Sequence, residues 1–471
     1  MGLSAGLRRL LANWPELADA AGADFDAVEL SSPAIGLAQD RLRELGEFAD
    51  GLEDAAEAAG VRHALRFFNA IVEGRRWRHN PDQLQPWSAI LLRHALLAES
   101  SPLEAERLGD RVASLPRALH DAAEGLQAPD PFALADARRN ADRLRTQLDG
   151  LADLVPPTAL QGAYLALAGH RRWLAELTPG PPLPPLGLEG LSALLHARGI
   201  TRSIDDVILD AEQCLVDVQR TVEPEPESEE VLPAALVRDA LRTELEVIAE
   251  LARARGERVA DIAYDVIPPP PGLEALEGAV LLPRPLRPRE GARLLFGGES
   301  VVGRHTASRL LIALRDGPTG RGLHAALLAD PARAHCAIDL CPLAAMGRET
   351  YAAETLLGFA HLAELSGAQG LPPRTQVLIA AQQRSRWHAL LALAELQWHG
   401  VIRDDADTLL QLEARGLQPE QARRALKSFR LQPTRALSTF VGERALRELQ
   451  PDRPGLERLL RQGRVPIEQL T

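Results

Sequence analysis

The sequence predicts a mainly α-helical protein with minor β content. Apolar residues recur in steps of three and four along most of its 471 residues, the period of one helical face. Proline clusters and Gly-Gly breaks punctuate these stretches in place of the two-residue alternation of strands. A hydrophobic share of 46% is enough to bury a sizeable core at this length.

The clearest helix carries Leu134, Ala137, Ala141, Leu144, Leu148 and Leu151 on one face, with Arg138, Arg139 and Arg143 mostly off it. Before it, Leu103, Leu108, Val112, Leu115 and Leu119 mark another, in which Pro116 is expected to kink or end the helix. The segment from Trp77 to Gln83, with Asn80-Pro81, reads as a turn. The run Pro179–Pro185 is neither helix nor central strand and separates an N-terminal helical lobe, 1–180, from a second lobe, 181–471, within one continuous fold. One helix is expected from Gly190 to about Val218, then an exposed acidic connector, Glu223–Glu230, and a helix from Leu236 to Arg255. After four prolines, Pro268–Pro271, Ala279–Leu282 reads as a short strand. Helices follow over Thr306–Leu314, Glu349–Leu365, Gln382–Trp398, Ala406–Leu412 and Pro419–Phe429, and no solenoid repeat is present.

A net charge of −12, from 53 Lys and Arg against 65 Asp and Glu, argues against a nucleic-acid partner, which needs a basic face. The cysteines, Cys214, Cys336 and Cys341, are odd in number and lack a C-x-x-C pair, which suits a reducing compartment. His335, Cys336, Asp339 and Cys341 match no standard metal spacing and read as structural residues. The first residues, MGLSAGLRRLLANWPEL, form an amphipathic pattern without a cleavage site, so the expectation is a cytoplasmic protein. No apolar run reaches the ~20 residues that cross a bilayer, so no membrane partner is expected.

Chemistry concentrates in Leu294–Arg309, LLFGGESVVGRHTASR, where charged groups lie beside a backbone that bends tightly. Gly298 and Gly303 have phosphate-loop spacing, but Arg304 and His305 hold the Lys and Ser/Thr places, and no parallel-sheet setting is expected. Ser300 lies in G-x-S-x-x-G, one residue too long for a nucleophile elbow. Glu299 and His305 fit the remains of a zinc-peptidase motif, in which an acid beside paired histidines serves as general base. The plainer alternative is a helix entrance whose Glu299 favours the positive end of the dipole.

The order of local patterns across most of the chain resembles the bacterial domain of unknown function 885 family, helical proteins related to zinc-dependent carboxypeptidases. Trp77 with Asn80-Pro81, and Leu115-Pro116 with Leu119, are similar to its W-x-x-N-P and I-P-x-x-L landmarks. Arg430, Pro433, Ala436, Leu437, Ser438 and Gly442 resemble its R-Y…P-G-Q-A-L-S-Y-x-x-G segment. His399-Gly400 resembles its D-x-G-L-H-x-x-G-W segment, with Glu395 in the Asp place. The resemblance implies a large helical zinc-metallopeptidase-like body with a central cleft.

Laid over the family's His-Glu-x-x-Pro-Gly-His-His, the chain reads Gly298-Glu299-Ser300-Val301-Val302-Gly303-Arg304-His305. The leading His place holds Gly298, one paired His place holds Arg304, and the downstream acidic ligand place holds Met346. The glutamine and tyrosine of P-G-Q-A-L-S-Y fall on Arg435 and Thr439. Zinc, expected for the family, is therefore expected to be absent here, leaving Glu299 as candidate general base without a metal. Arg304 offers a permanent cation in its stead, to pair with Glu299 or an acid of Glu349–Glu354. The candidate ligand-binding residues are Arg304, His305, Tyr351, His399 and Arg435, and the implied function is a non-catalytic relative whose cleft binds a peptide or small carboxylate. A hydrolase with relocated chemistry, using Glu299, His305, Tyr351 and His399, and a purely structural protein are the alternatives.

Overall fold

The computed structural model describes residues 76–82, 102–124, 126–221, 232–254, 259–268, 280–281, 292–296, 305–320, 322–323, 374–402 and 404–449, with scattered positions between 46 and 98. Of these, 76% are helical and 4% are strand, so the protein is mainly α. Among the described residues no helix is long and apolar enough to cross a membrane. The chain forms two compact units: Met1–Pro184 with Pro269–Leu276 and Arg430–Gln432, and a second made of Pro185–Pro268, Glu277–Phe429 and Pro433–Thr471.

The described core of the first unit is built by α1 (Pro102–Glu124), α2 (Pro131–Gly150) and α3 (Pro157–Glu176). The predicted stripe of α2 is buried from Leu134 to Leu151, and it meets Leu108, Val112 and Leu115 of α1 in one apolar cluster. Pro116 does not end α1, which runs eight residues further to Glu124. One lost backbone hydrogen bond is outweighed by burial of Leu115, Ala118 and Leu119 on the same face.

Asp130 starts α2. Its Oδ1 accepts the Phe132 and Ala133 N–H groups, at 3.0 and 3.2 Å, and Pro131 follows at a position where no N–H is needed. Its Oδ2 accepts from the Arg430 guanidinium at 2.9 Å, and that guanidinium also lies 4.7 Å from the Phe132 ring centroid. The turn Arg76–His79 is stitched to the same place, its Arg78 and His79 carbonyls accepting the Gln127 and Asp130 N–H groups. Arg76 reaches the Arg430 carbonyl at 2.8 Å. Thus the Asn80-Pro81 landmark and Arg430, far apart in sequence, serve one buried corner of this unit.

The second unit begins with α4 (Gly187–Ala197) and α5 (Ile204–Thr221), where a single helix was expected. Gly199, at φ +81°, takes the left-handed conformation that closes α4, and the Ile200 N–H returns to the Leu195 carbonyl. Ser203 then caps α5 by accepting the Asp206 N–H while its hydroxyl donates to the Asp206 carboxylate. Next come α6 (Val237–Ala254) and three strands, β1 (Tyr264–Ile267), β2 (Val280–Leu281) and β3 (Ala292–Leu295).

In this small sheet, ordered β1-β3-β2, β1 and β3 are parallel, with Tyr264 opposite Ala292 and Ile267 opposite Leu295. β2 is antiparallel to β3, with Val280 opposite Leu294. The expectation that no parallel pair exists is therefore corrected: β3 carries the Leu294-Leu295 start of the central stretch, and the pairing is made by a segment nearly thirty residues earlier. Phosphate-loop chemistry gains nothing from this, because the Lys and Ser/Thr places still hold Arg304 and His305.

After the sheet come α7 (Thr306–Asp316), α8 (Arg374–Gln397) with a π-turn at Trp398–Ile402, α9 (Asp405–Ala414), α10 (Pro419–Leu431) and α11 (Arg435–Leu449). Two apolar clusters hold the unit together. One joins α6, β1, β3 and α7 around Leu241, Val266, Leu294 and Leu310; the other joins α4, α5, α8 and α11 around Leu195, Ala211, Leu393 and Phe440.

Candidate functional site

The C-terminal end of α8 is where the described family-like residues come together. Glu395 and His399 stand one helical turn apart, and both are wholly buried. Glu395 faces the start of α11: its Oε1 accepts the Thr434 N–H at 2.7 Å and its Oε2 the Leu437 N–H at 2.9 Å. These N–H groups have no partner inside the helix, so a carboxylate there satisfies them and meets the positive end of the helix dipole. Thr434 turns the chain into α11 at φ +73°, a strained conformation for a β-branched residue that the surrounding bonds hold in place. Arg198, buried at the C-terminal cap of α4, adds a charge that favours the ionised carboxyl and donates to the Pro433 carbonyl at 3.5 Å. Burial nonetheless dominates and pushes the Glu395 carboxyl up to about 7, with the Leu437 and Thr434 N–H groups and Arg198 pulling the other way.

His399 does the corresponding task for α4. The π-turn carries its ring to Leu186, whose backbone N–H donates to Nδ1 at 3.0 Å at the beginning of that helix. A backbone N–H can only donate, so Nδ1 holds a lone pair in use and the ring proton belongs on Nε2. The ring also lies edge-on to Trp398, with centroids 4.6 Å apart, and the Trp398 indole N–H donates to Asp405 at 3.2 Å. Gly400 packs closely beside it: a Cβ there would stand 2.8 Å from Leu188 Cδ2, so that side chain would have to shift. The His399-Gly400 segment is thus a close seam between the end of α8 and α4.

Of the other residues singled out in the sequence, His305 is half-buried immediately before α7, where its carbonyl accepts the Arg309 N–H at 2.9 Å. Arg435 is exposed as the first residue of α11, and its carbonyl accepts the Thr439 hydroxyl at 3.1 Å. Gly298, Glu299, Arg304, Met346, Tyr351 and Glu349–Glu354 lie outside the described residues, as do His335, Cys336, Asp339 and Cys341. Among the described residues, His399 Nδ1 is taken by the Leu186 backbone amide, so that nitrogen has no lone pair left for a metal.

Sequence reasoning passed over two further clusters. Arg309 on α7 forms a buried fork with Glu244 on α6: Nε lies 3.0 Å from Oε1 and 3.1 Å from Oε2, and the terminal nitrogen 2.8 Å from Oε1. The side chains are 3% and 6% exposed, and burial pushes the Glu244 carboxyl up to about 7 against the pull of Arg309. Five residues separate this guanidinium from Arg304, on which the sequence places an ion pair. The signal was its position four residues before Ala313 on the buried face of α7.

The second cluster joins α8 and α11. Glu443 accepts from the Ser385 hydroxyl and from Arg447, each at 2.7 Å, on Oε1, and its Oε2 lies 2.7 Å from His388 Nδ1. Burial alone would raise this carboxyl. The hydrogen bond and charge of His388, helped by Arg447 and Ser385, outweigh that and hold it at about 2. Cys214 of α5 packs beside it, its thiol 3.9 Å from the Ser385 carbonyl and its pKa raised by burial.

No protein family and no curated relative matches the sequence. Two solved structures share the fold. One is a candidate lipoprotein from Colwellia psychrerythraea, with TM-score 0.70 and 10% identity over 99% of this chain and 97% of that one. The other is a candidate lipoprotein of unknown function from Shewanella oneidensis, with TM-score 0.59 and 11% identity over the same shares. At such identities the likeness is one of fold alone.

Proposed function

We propose that the chain is a non-catalytic relative of helical zinc-carboxypeptidase-like proteins that has lost metal-dependent chemistry and binds a short peptide or small carboxylate in its cleft. The observation that carries this reading is the spent Nδ1 of His399, together with Glu395 four residues before it. Both residues of the family-like segment hold helix starts, and neither is turned to a ligand. The replacements at Gly298, Arg304 and Met346 support it from the sequence side, because three separate parts of one mechanism are altered together.

The test is thermal unfolding of the full chain with tri- to pentapeptides and small mono- and dicarboxylates, before and after chelator treatment. A true ligand at a hundred times its Kd adds about 2.7 kcal/mol and raises Tm equally in both preparations. If no compound shifts Tm and the chain cleaves peptides until a chelator is added, the reading fails. The odd thiol count without a C-x-x-C pair supports a cytoplasmic location, whereas the lipoprotein descriptions of the two neighbours favour export; cell fractionation decides between them.

A further inference from the structure

Large apolar side chains left in solvent are few among the described residues, and three of them lie on α3 and α5. On α5, Leu209 is 63% exposed and Val216 39%. Exposed Asp205 and Glu212 alternate with them in steps of four, three and four, which sets all four along one line of the helix surface. From Ile204 to Val218 this helix carries Asp205, Asp206, Asp210, Glu212 and Asp217 and no basic residue, so its apolar line has an acidic border. On α3, Leu165 is 70% exposed. Gly162 and Gly169 flank it, and a Cβ at either would meet nothing within 4 Å, so a second helix can come close on both sides of the leucine. Arg172 lies exposed two turns beyond Leu165. Neither Arg172 nor Asp205 has an ion-pair partner among the described residues.

These two faces complement each other in one direction. Leu209 and Val216 are seven residues apart, as are Gly162 and Gly169. With the helices antiparallel and Leu165 seated between Leu209 and Val216, Leu209 lies over Gly169, Val216 over Gly162, and Asp205 meets Arg172. A parallel arrangement keeps the apolar contacts but carries Arg172 past Val216, away from Asp205. Packing α5 on another α5 would set acids against acids, and α3 on another α3 would give Arg172 no acid to meet. We propose that α5 of one copy of this chain docks antiparallel on α3 of a second copy, with Leu165, Leu209 and Val216 as the apolar centre and Arg172–Asp205 as the pair that sets direction. The two faces differ, so the contact is head-to-tail, and each bound copy retains a free face for the next unless a ring closes. A contact of a few turns on each helix is small, so the association is weak and concentration-dependent. It is separate from Glu395 and His399 and does not depend on the binding function proposed above.

The experiment is sedimentation equilibrium of the full chain from low micromolar to several hundred micromolar. The average mass should rise with concentration above that of one chain. Leu165→Glu and Leu209→Glu should each hold it at one chain throughout, while Leu410→Glu, at a comparably exposed position on α9, should leave the parent behaviour unchanged. An equimolar mixture of Leu165→Glu and Leu209→Glu should associate only as far as two chains, because one intact α5 face and one intact α3 face remain between them. Asp205→Arg should weaken association at least tenfold, and adding Arg172→Asp to it should restore the parent value. That reversal also decides the matter if either glutamate variant melts below the parent, since a folding defect would not be repaired by the second charge. A parent chain of single-chain mass at every concentration overturns the second copy as the occupant of this face. Association that survives Leu165→Glu or Leu209→Glu, that is lost equally in Leu410→Glu, or that is not regained in the mixture overturns the proposal as well.

Discussion

Replacing Arg309 with methionine should lower the unfolding free energy of the second unit by about 3–5 kcal/mol at pH 8. The cost comes less from the lost attraction than from what stays behind: Glu244, 6% exposed, would sit in an apolar wall of α6 and α7 without its guanidinium. Burial already raises this carboxyl, and without Arg309 the pull against that rise is gone, so the variant should recover stability as the pH is lowered and Glu244 takes a proton. The double replacement Glu244→Leu with Arg309→Met should regain most of the loss, because an apolar pair of similar volume carries no desolvation cost. Urea unfolding of the three variants measures this. Equal loss in the single and double variants would mean that packing volume, and not charge, sets the energetics of this contact.

Replacing Glu395 with alanine should cost about 2–5 kcal/mol, since the Thr434 and Leu437 N–H groups lose their acceptors inside a closed interior. The pH dependence gives a second reading of the same residue. The Glu395 carboxyl moves from an ordinary 4.5 in the unfolded chain up to about 7 when folded. Its stabilising contribution is therefore complete below pH 4.5 and is lost as pH rises through 7, by about 3 kcal/mol in all. Glu244 acts in the same sense over the same window, while Glu443, held at about 2, contributes fully above 4.5 and loses its share only as pH falls toward 2. Stability of the parent chain should thus decline between pH 4.5 and 7, and Glu395→Ala should flatten that decline. An unchanged slope in the variant would assign the pH dependence elsewhere.

The helical character of the chain was legible because it is local. The stripe from Leu134 to Leu151 follows from spacing alone, and burial matches it residue by residue. The break between α4 and α5 was also written locally, in Gly199 and in the Ser203-x-x-Asp206 capping pattern, yet the apolar run across it masked both. The parallel β1–β3 pair was not legible, because nothing in either four-residue strand names its partner. The roles of Glu395 and His399 were hidden for the same reason at greater range. Their partners lie 39 and 213 residues away, and backbone N–H groups leave no mark on the sequence. What the sequence did offer was a buried-looking acid and imidazole one turn apart, a pattern that serves a metal site and a pair of helix caps equally well.

Physical chemistry separates those two uses. A zinc ligand must present a lone pair to the ion, while the lone pair on His399 Nδ1 is held by the Leu186 N–H in the seam between α8 and α4. The most direct test is the metal content of the full chain purified from zinc-supplemented cells, beside that of His399→Ala. The account predicts well below one zinc per chain in both preparations. One tightly held zinc per chain in the parent, lost in His399→Ala, would contradict it.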